Sequence, residues 1–144
     1  NEAKIILGFA VGCFNSKGFN KKLIYSNLGA YFFQTLILFF TKPLALLRLY
    51  KNLSKGNVLS DKGNYAELLS IGVSPGQNGL GIGQQLLVEF ENQVKEKGVN
   101  TITLTTDADS NDSVLRFYKK SGYTVYYDFE TFPNRKMLKL IKEL

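Results

Sequence analysis

An α/β chain of the α+β kind, built as one domain around one sheet, is predicted by three observations. Short β-branched and aromatic runs, "KIILGFAVGCF" (Lys4–Phe14), "YAELLSIGV" (Tyr65–Val73) and "NTITLTT" (Asn100–Thr106), have strand character and alternate with runs of helical character. The glycine-rich stretch "VSPGQNGLGIGQQLL" (Val73–Leu87) joins one strand-like run directly to a helix-like one. Two more strand-like runs, "TVYYDF" and "RKMLKLI", close the sequence around the Pro133-Asn134 turn. With 144 residues, 44% of them hydrophobic, the chain is long enough for a core of its own, and nothing in it calls for a second domain.

The elements follow in order. Lys4–Phe14 reads as a buried strand ended by the turn residues "NSKG". From Asn20 to Leu53 apolar residues are too dense for a surface helix, and Pro43 should split the segment near Lys42 into a helical hairpin. Ser54–Asn64 is polar and glycine-bearing, hence a loop. After the strand Tyr65–Val73 and the glycines, Ile82, Leu86, Phe90 and Val94 recur every four residues on one helical face, and Gly98 stands where a C-terminal cap belongs. The strand Asn100–Thr106 precedes a short helix with Asp109 or Ser110 as N-cap and Gly122 as C-cap.

Composition narrows the function classes. One cysteine, Cys13, forms no internal disulfide, and with no histidine the usual zinc sites are absent, so no metal is expected. A reducing, cytoplasmic setting fits, and no signal-peptide pattern is read. The net charge of +6 favours anionic partners: phosphorylated cofactors, nucleic acid or anionic lipid. A nucleic-acid partner is not expected, for want of a helix with clustered Arg and Lys or an aromatic-basic RNA signature.

A strand running through glycines into a helix aims unpaired backbone N–H groups and the positive helix end at one point, which suits an anion such as a pyrophosphate. Gly83 is followed by Gln84 rather than by Lys-Ser/Thr, and Gly79, Gly81 and Gly83 run G-x-G-x-G, so the nucleotide P-loop and the dinucleotide fingerprint both fit poorly. The stretch instead resembles the acetyl-CoA loop of the GNAT superfamily of N-acetyltransferases: Val73, Pro75, then Asn78-Gly79-Leu80-Gly81-Ile82-Gly83, with Asn78 in place of the family's Arg or Gln. "NDSVLRFYKKSGY" (Asn111–Tyr123) resembles the family's second signature, with Asn111, Tyr118, Gly122 and Tyr123 in register and Val114 at the small-residue position. The resemblance implies a mixed, mostly antiparallel central sheet flanked by helices, with Tyr65–Leu144 as the C-terminal part of such a domain. The strand and helices that usually precede "ILGFAVG" are missing, so the expectation is one N-terminally incomplete domain with residues 20–53 as a helical insert.

The activity so implied is transfer of an acetyl group from acetyl-CoA to a primary amine of a small molecule, an amino sugar among the candidates. The resemblance gives Ile71, Val73, Asn78, Gly79, Leu80, Gly81, Ile82, Gly83, Asn111 and Tyr118 to the cofactor. It makes Glu67 the general base, the backbone N–H near Ile71 the group facing the thioester carbonyl, and Tyr118 the proton donor to the leaving sulfur. A bulge at Gly72 would free that N–H. Each has a plainer alternative: a solvated strand carboxylate or an ion-pair partner for Glu67, core packing for Tyr118, helix capping for Asn111. The rival function is a CoA-binding sensor or scaffold that does not turn over. Leu28–Phe40 is too short to span a bilayer. With Lys21, Lys22, Lys42, Arg48 and Lys51 around it, this segment suits either a lid packed on the core or a contact with an anionic membrane or lipid-linked substrate. A second copy of the chain is a further partner left open.

Overall fold

A computed structural model describes residues 5–16, 25–46, 64–131 and 133–144. Its elements are β1 (Gly8–Cys13), α1 (Leu28–Thr41), β2 (Ala66–Val73), α2 (Ile82–Glu96), β3 (Thr101–Asp107), α3 (Asp112–Lys120), β4 (Thr124–Thr131) and β5 (Arg135–Glu143). The five strands form one sheet in the order β1-β2-β3-β5-β4. Only the β2–β3 pairing is parallel, and α2 makes the crossover it requires. The expected mixed, mostly antiparallel sheet with flanking helices is thus observed.

The core lies where α2 and α3 meet one face of the sheet. Leu87, Phe90 and Val94 from α2 and Tyr118 from α3 join Ala66 and Leu68 of β2, Ile102 and Leu104 of β3 and Leu140 of β5. The buried stripe of α2 is Leu87, Phe90, Glu91 and Val94, not the four-residue series from Ile82. A strict spacing of four outruns the 3.6-residue turn, so a series from Ile82 drifts off the core-facing side. The stripe carries a buried carboxylate: Glu91 accepts from Lys142 Nζ at 2.7 Å, with that ammonium 5.5 Å over the Tyr123 ring.

Both helices end alike. Gly122 at φ +90° donates to the Lys119 carbonyl and Tyr123 to that of Tyr118, each at 3.0 Å, a Schellman closure sealed by edge-on Tyr118 and Tyr123 rings 5.7 Å apart. Gly98 and Val99 close α2 in the same way onto Lys95 and Val94. The start of α3 differs from expectation: Asn111 is the N-cap, and Ser110 at φ +55° belongs to the preceding turn.

The first strand departs most. Rather than a buried strand from Lys4, β1 begins at Gly8 and is an edge strand with alternating exposure, Phe9 and Val11 facing out. α1 stops at Thr41, Lys42 is non-helical and helical turns resume at residue 43, so Pro43 breaks the segment where expected. The remainder of the expected hairpin, 20–24 and 47–53, lies outside the described residues, as does all but Asn64 of the expected loop. Among the described residues of this segment none is buried.

Candidate functional site

The site begins where the sheet comes apart. β2 and β3 pair only at Ala66–Ile102, Glu67–Thr103 and Leu68–Leu104, and beyond Leu68 the ladder between them ends. At the same point the β1–β2 register jumps from Ser70 to Leu68 against the consecutive residues Val11 and Gly12, leaving Leu69 as the bulged residue. The bulge is therefore at Leu69 and not at Gly72. Gly72 serves a close approach instead, for a Cβ there would sit 2.9 Å from the Phe9 ring.

Strand alternation then fixes which backbone groups are free. Ser74 N–H donates to the Leu7 carbonyl at 2.8 Å, so Ser74 and Gly72 point at β1. Ile71 and Val73 point to the opposite edge, where β3 has departed and no ladder partner stands. These two residues line a cleft of about 500 Å³ together with Gly72, Asn78, Gly79 and Gly83 of the loop and Ser113, Val114, Phe117 and Tyr118 of α3.

The loop is shaped by its glycines. Ser74-Pro75-Gly76-Gln77 closes with Gln77 N–H on the Ser74 carbonyl at 3.1 Å, proline first and Gly76 at φ +83° second, the arrangement of a type II turn. Gly79 and Gly81 follow at φ +83° and +78°, and a Cβ on either would meet nothing within 4 Å. These glycines are thus needed for backbone angle, and the space beside them is open. Gly81 caps α2 with its carbonyl taking the Gln85 N–H at 3.0 Å, which leaves the N–H groups of Ile82, Gly83 and Gln84 without helical partners. No acidic residue stands in that first turn to compete for them. The positive helix end, the glycine loop and the unpaired edge of β2 can together hold an extended ligand with an anionic middle.

The remaining candidates fall in different places. Tyr118 lines the cleft and is 6% exposed, its ring against Phe117 and Tyr123. Burial raises its pKa above the ordinary phenol value, so it stays protonated at neutral pH. Asn111 does not line the cleft: its amide donates to Thr106 Oγ1 at 2.7 Å and to the Asp107 carbonyl at 3.0 Å, pinning the end of β3 to the start of α3 without capping the helix by its side chain. Leu80, Gly81 and Ile82 are outside the lining as well, Leu80 being exposed.

Glu67 lies on the sheet face opposite Tyr118, since its neighbours Ala66 and Leu68 point into the core that Tyr118 shares. Its Oε1 pairs with Lys139 Nζ and its Oε2 accepts from Ser16 Oγ at 2.8 Å. Lys139 is 6% exposed and reaches Glu67 from β5 across the intervening β3, also donating to Thr105 Oγ1 at 3.3 Å. Ser16, Lys139 and Phe117 were not legible as site residues. The one trace of Lys139 is a lysine inside the apolar alternation of "MLKLI", and pairing across 72 residues leaves no local signal.

Among the described residues no group of three or more side chains could hold a metal ion. A mycothiol acetyltransferase from Arthrobacter sp. (strain FB24) is 34% identical over 58 residues, covering 40% of this chain and only 18% of that protein. An acetyltransferase structure from Desulfovibrio desulfuricans assigned to the GNAT family has a TM-score of 0.52 at 22% identity, over 55% of this chain and 52% of the other. Ard1 from Thermoplasma volcanium has a TM-score of 0.52 at 22% identity, over 56% and 55%. At such identity these likenesses are of fold. The profile of the Acetyltransferase (GNAT) family matches residues 13–123, most of the chain and both glycine signatures included, and the chain therefore belongs to that family.

Proposed function

We propose that the chain carries the cofactor half of an N-acetyltransferase that moves an acetyl group from acetyl-CoA to a primary amine of a small molecule, with amino sugars first among the acceptors to screen. The observation that carries this reading is the coincidence, in one cleft, of an open positive-φ glycine loop with a β2 edge that has lost its ladder partner. Bound acetyl-CoA supplies the thioester from which the acetyl group is transferred. The loop N–H groups from Gly79 to Gln84 hold the pyrophosphate, and Asn78, shorter than the family's usual residue, contributes a side chain at the loop mouth. The Ile71 N–H donates to the carbonyl oxygen as negative charge develops there. Tyr118 gives its phenolic proton to the leaving sulfur. Glu67 takes the proton of the incoming amine, directly or through water, on an oxygen that already accepts from Lys139 or Ser16. Asn111 acts by positioning, holding α3 against the end of β3.

A second reading is CoA binding without turnover. The ion pair and hydrogen bond that Glu67 already makes favour it, together with Asn78 at the position of the longer family residue.

Tyr118→Phe separates the two when measured beside CoA affinity and thiol release. The ring packing survives, so affinity and melting temperature stay near wild type, while turnover falls by roughly two orders of magnitude. An unchanged rate removes Tyr118 from the chemistry. No thiol release by the wild-type chain with any amine, alongside a melting curve that CoA raises, selects the binding module. A melting curve that CoA at saturating concentration does not move removes the cleft assignment itself.

A further inference from the structure

We propose that Lys139 is a positioning residue for the acetyl transfer: it fixes Oε1 of Glu67, so that Oε2, on Ser16, is the oxygen that takes the amine proton. The inference rests on the reading of Glu67 as the base and names the group that acts through it. Within "MLKLI", Leu138 and Leu140 turn to the core face, so strand alternation sends Lys139 to the other one, where it is only 6% exposed. A lysine is seldom so buried unless paired, and the partners of this one are Glu67 Oε1 and, at 3.3 Å, Thr105 Oγ1.

These partners stand at the root of the gap in the sheet. Glu67 pairs with Thr103, and the β2–β3 ladder stops at the next pair, Leu68 and Leu104, so Thr105 is the first residue of β3 on this face beyond the ladder. Lys139 lies opposite Thr105 in the β3–β5 register and bonds to both strands, to Glu67 on one side of the gap and to Thr105 on the other. The carboxylate is thereby held where β2 leaves β3, on the strand that carries Ile71 into the cleft. Chemistry then separates the two oxygens. An ammonium only donates, so Oε1 could take a proton only by losing Lys139. The Ser16 hydroxyl on Oε2, at 2.8 Å, both donates and accepts, and it can turn as the proton arrives. Access agrees: the Glu67 side chain is 24% exposed and that of Lys139 8%, so the Lys139 end of the pair is the closed one.

The test is thiol release from acetyl-CoA by the full chain, with glucosamine, galactosamine and mannosamine as acceptors, beside melting curves with and without CoA. Lys139→Gln keeps a donor without the charge or the reach, so kcat should fall roughly 10- to 100-fold, as misplacing a reacting group does. The KM for acetyl-CoA and the rise in melting temperature with CoA should stay near wild type, because Lys139 does not line the cleft. Glu67→Gln/Lys139→Gln leaves no uncompensated buried charge, and it should be no slower than Glu67→Gln, since Lys139 then has nothing to act through. Ser16→Ala should cost less than Lys139→Gln, because water can take the place of the hydroxyl on Oε2. A wild-type kcat in Lys139→Gln overturns the proposal, as does a double variant slower than Glu67→Gln by about tenfold or more. A Ser16→Ala loss larger than that of Lys139→Gln overturns the assignment of the two oxygens. Glu67→Gln at the wild-type rate removes the reading of the base and this inference with it, as does a wild-type chain that releases no thiol with any of the three amines.

Discussion

Every buried residue of the described chain lies between residues 66 and 144, whereas residues 5–46 hold fifteen of its twenty large exposed hydrophobic side chains. The two regions do not differ in being apolar. α2, with Gln, Glu, Asn and Lys through most of its length, buries four residues, and α1, apolar over most of its surface, buries none. Burial follows from having a complementary face at the right distance, which α2 finds because β2 and β3 flank its crossover. The first region meets the packed one along β1, which pairs with β2 from Gly8 to Cys13 and sets Ala10 and Phe14 against the core, with Gly12 and Phe14 next to Phe90.

The sharpest way to break this comparison is to truncate one aromatic in each region. Phe90→Ala should cost about 3 to 5 kcal/mol, as buried aromatic truncations do, and Phe39→Ala within about 0.5 kcal/mol, as exposed substitutions do. Urea unfolding followed by circular dichroism reads both, and comparable losses would mean that α1 packs on the fold after all. A smaller effect probes one contact between the regions. A Cβ on Gly12 would run into the Phe90 ring and lie 2.7 Å from the Glu67 carbonyl oxygen, so Gly12→Ala should destabilise by about 1 to 3 kcal/mol. A neutral Gly12→Ala would show β1 free to shift away from the core.

The smallest effect lies on the surface of the packed region. Arg135 holds Asp107 through two hydrogen bonds of 2.5 and 2.6 Å and lowers its pKa below the ordinary carboxylate value. A lowered folded-state pKa stabilises the fold above the unfolded value and loses that contribution as pH falls through the folded one. The melting temperature should therefore drop slightly below about pH 4 in the wild type, and Asp107→Asn should flatten that part of the drop. Both groups are exposed, so salt should shrink the difference. An identical acid limb in the variant would show that the pair adds nothing to stability.

What the sequence alone determined is whatever a few neighbouring residues decide. Pro75-Gly76 specifies its turn, Gly81 the helix start, and Gly98 and Gly122 the helix ends, because a positive φ is a local demand that glycine meets most cheaply. The resemblance carried by those glycines and by Asn111 to Tyr123 pointed to the family and to the succession of elements around the cleft. Tertiary structure alone decided the rest, because it turns on contacts distant in the chain. The bulge went to Leu69 through its register with β1, some 58 residues away, while the glycine next to the loop answered to Phe9. Glu67 became the partner of Ser16 and Lys139, which strand alternation places on the face away from Tyr118. The same apolar density that predicted helix in residues 28–41 could not say what would cover it, since periodicity orients a face without supplying the surface opposite.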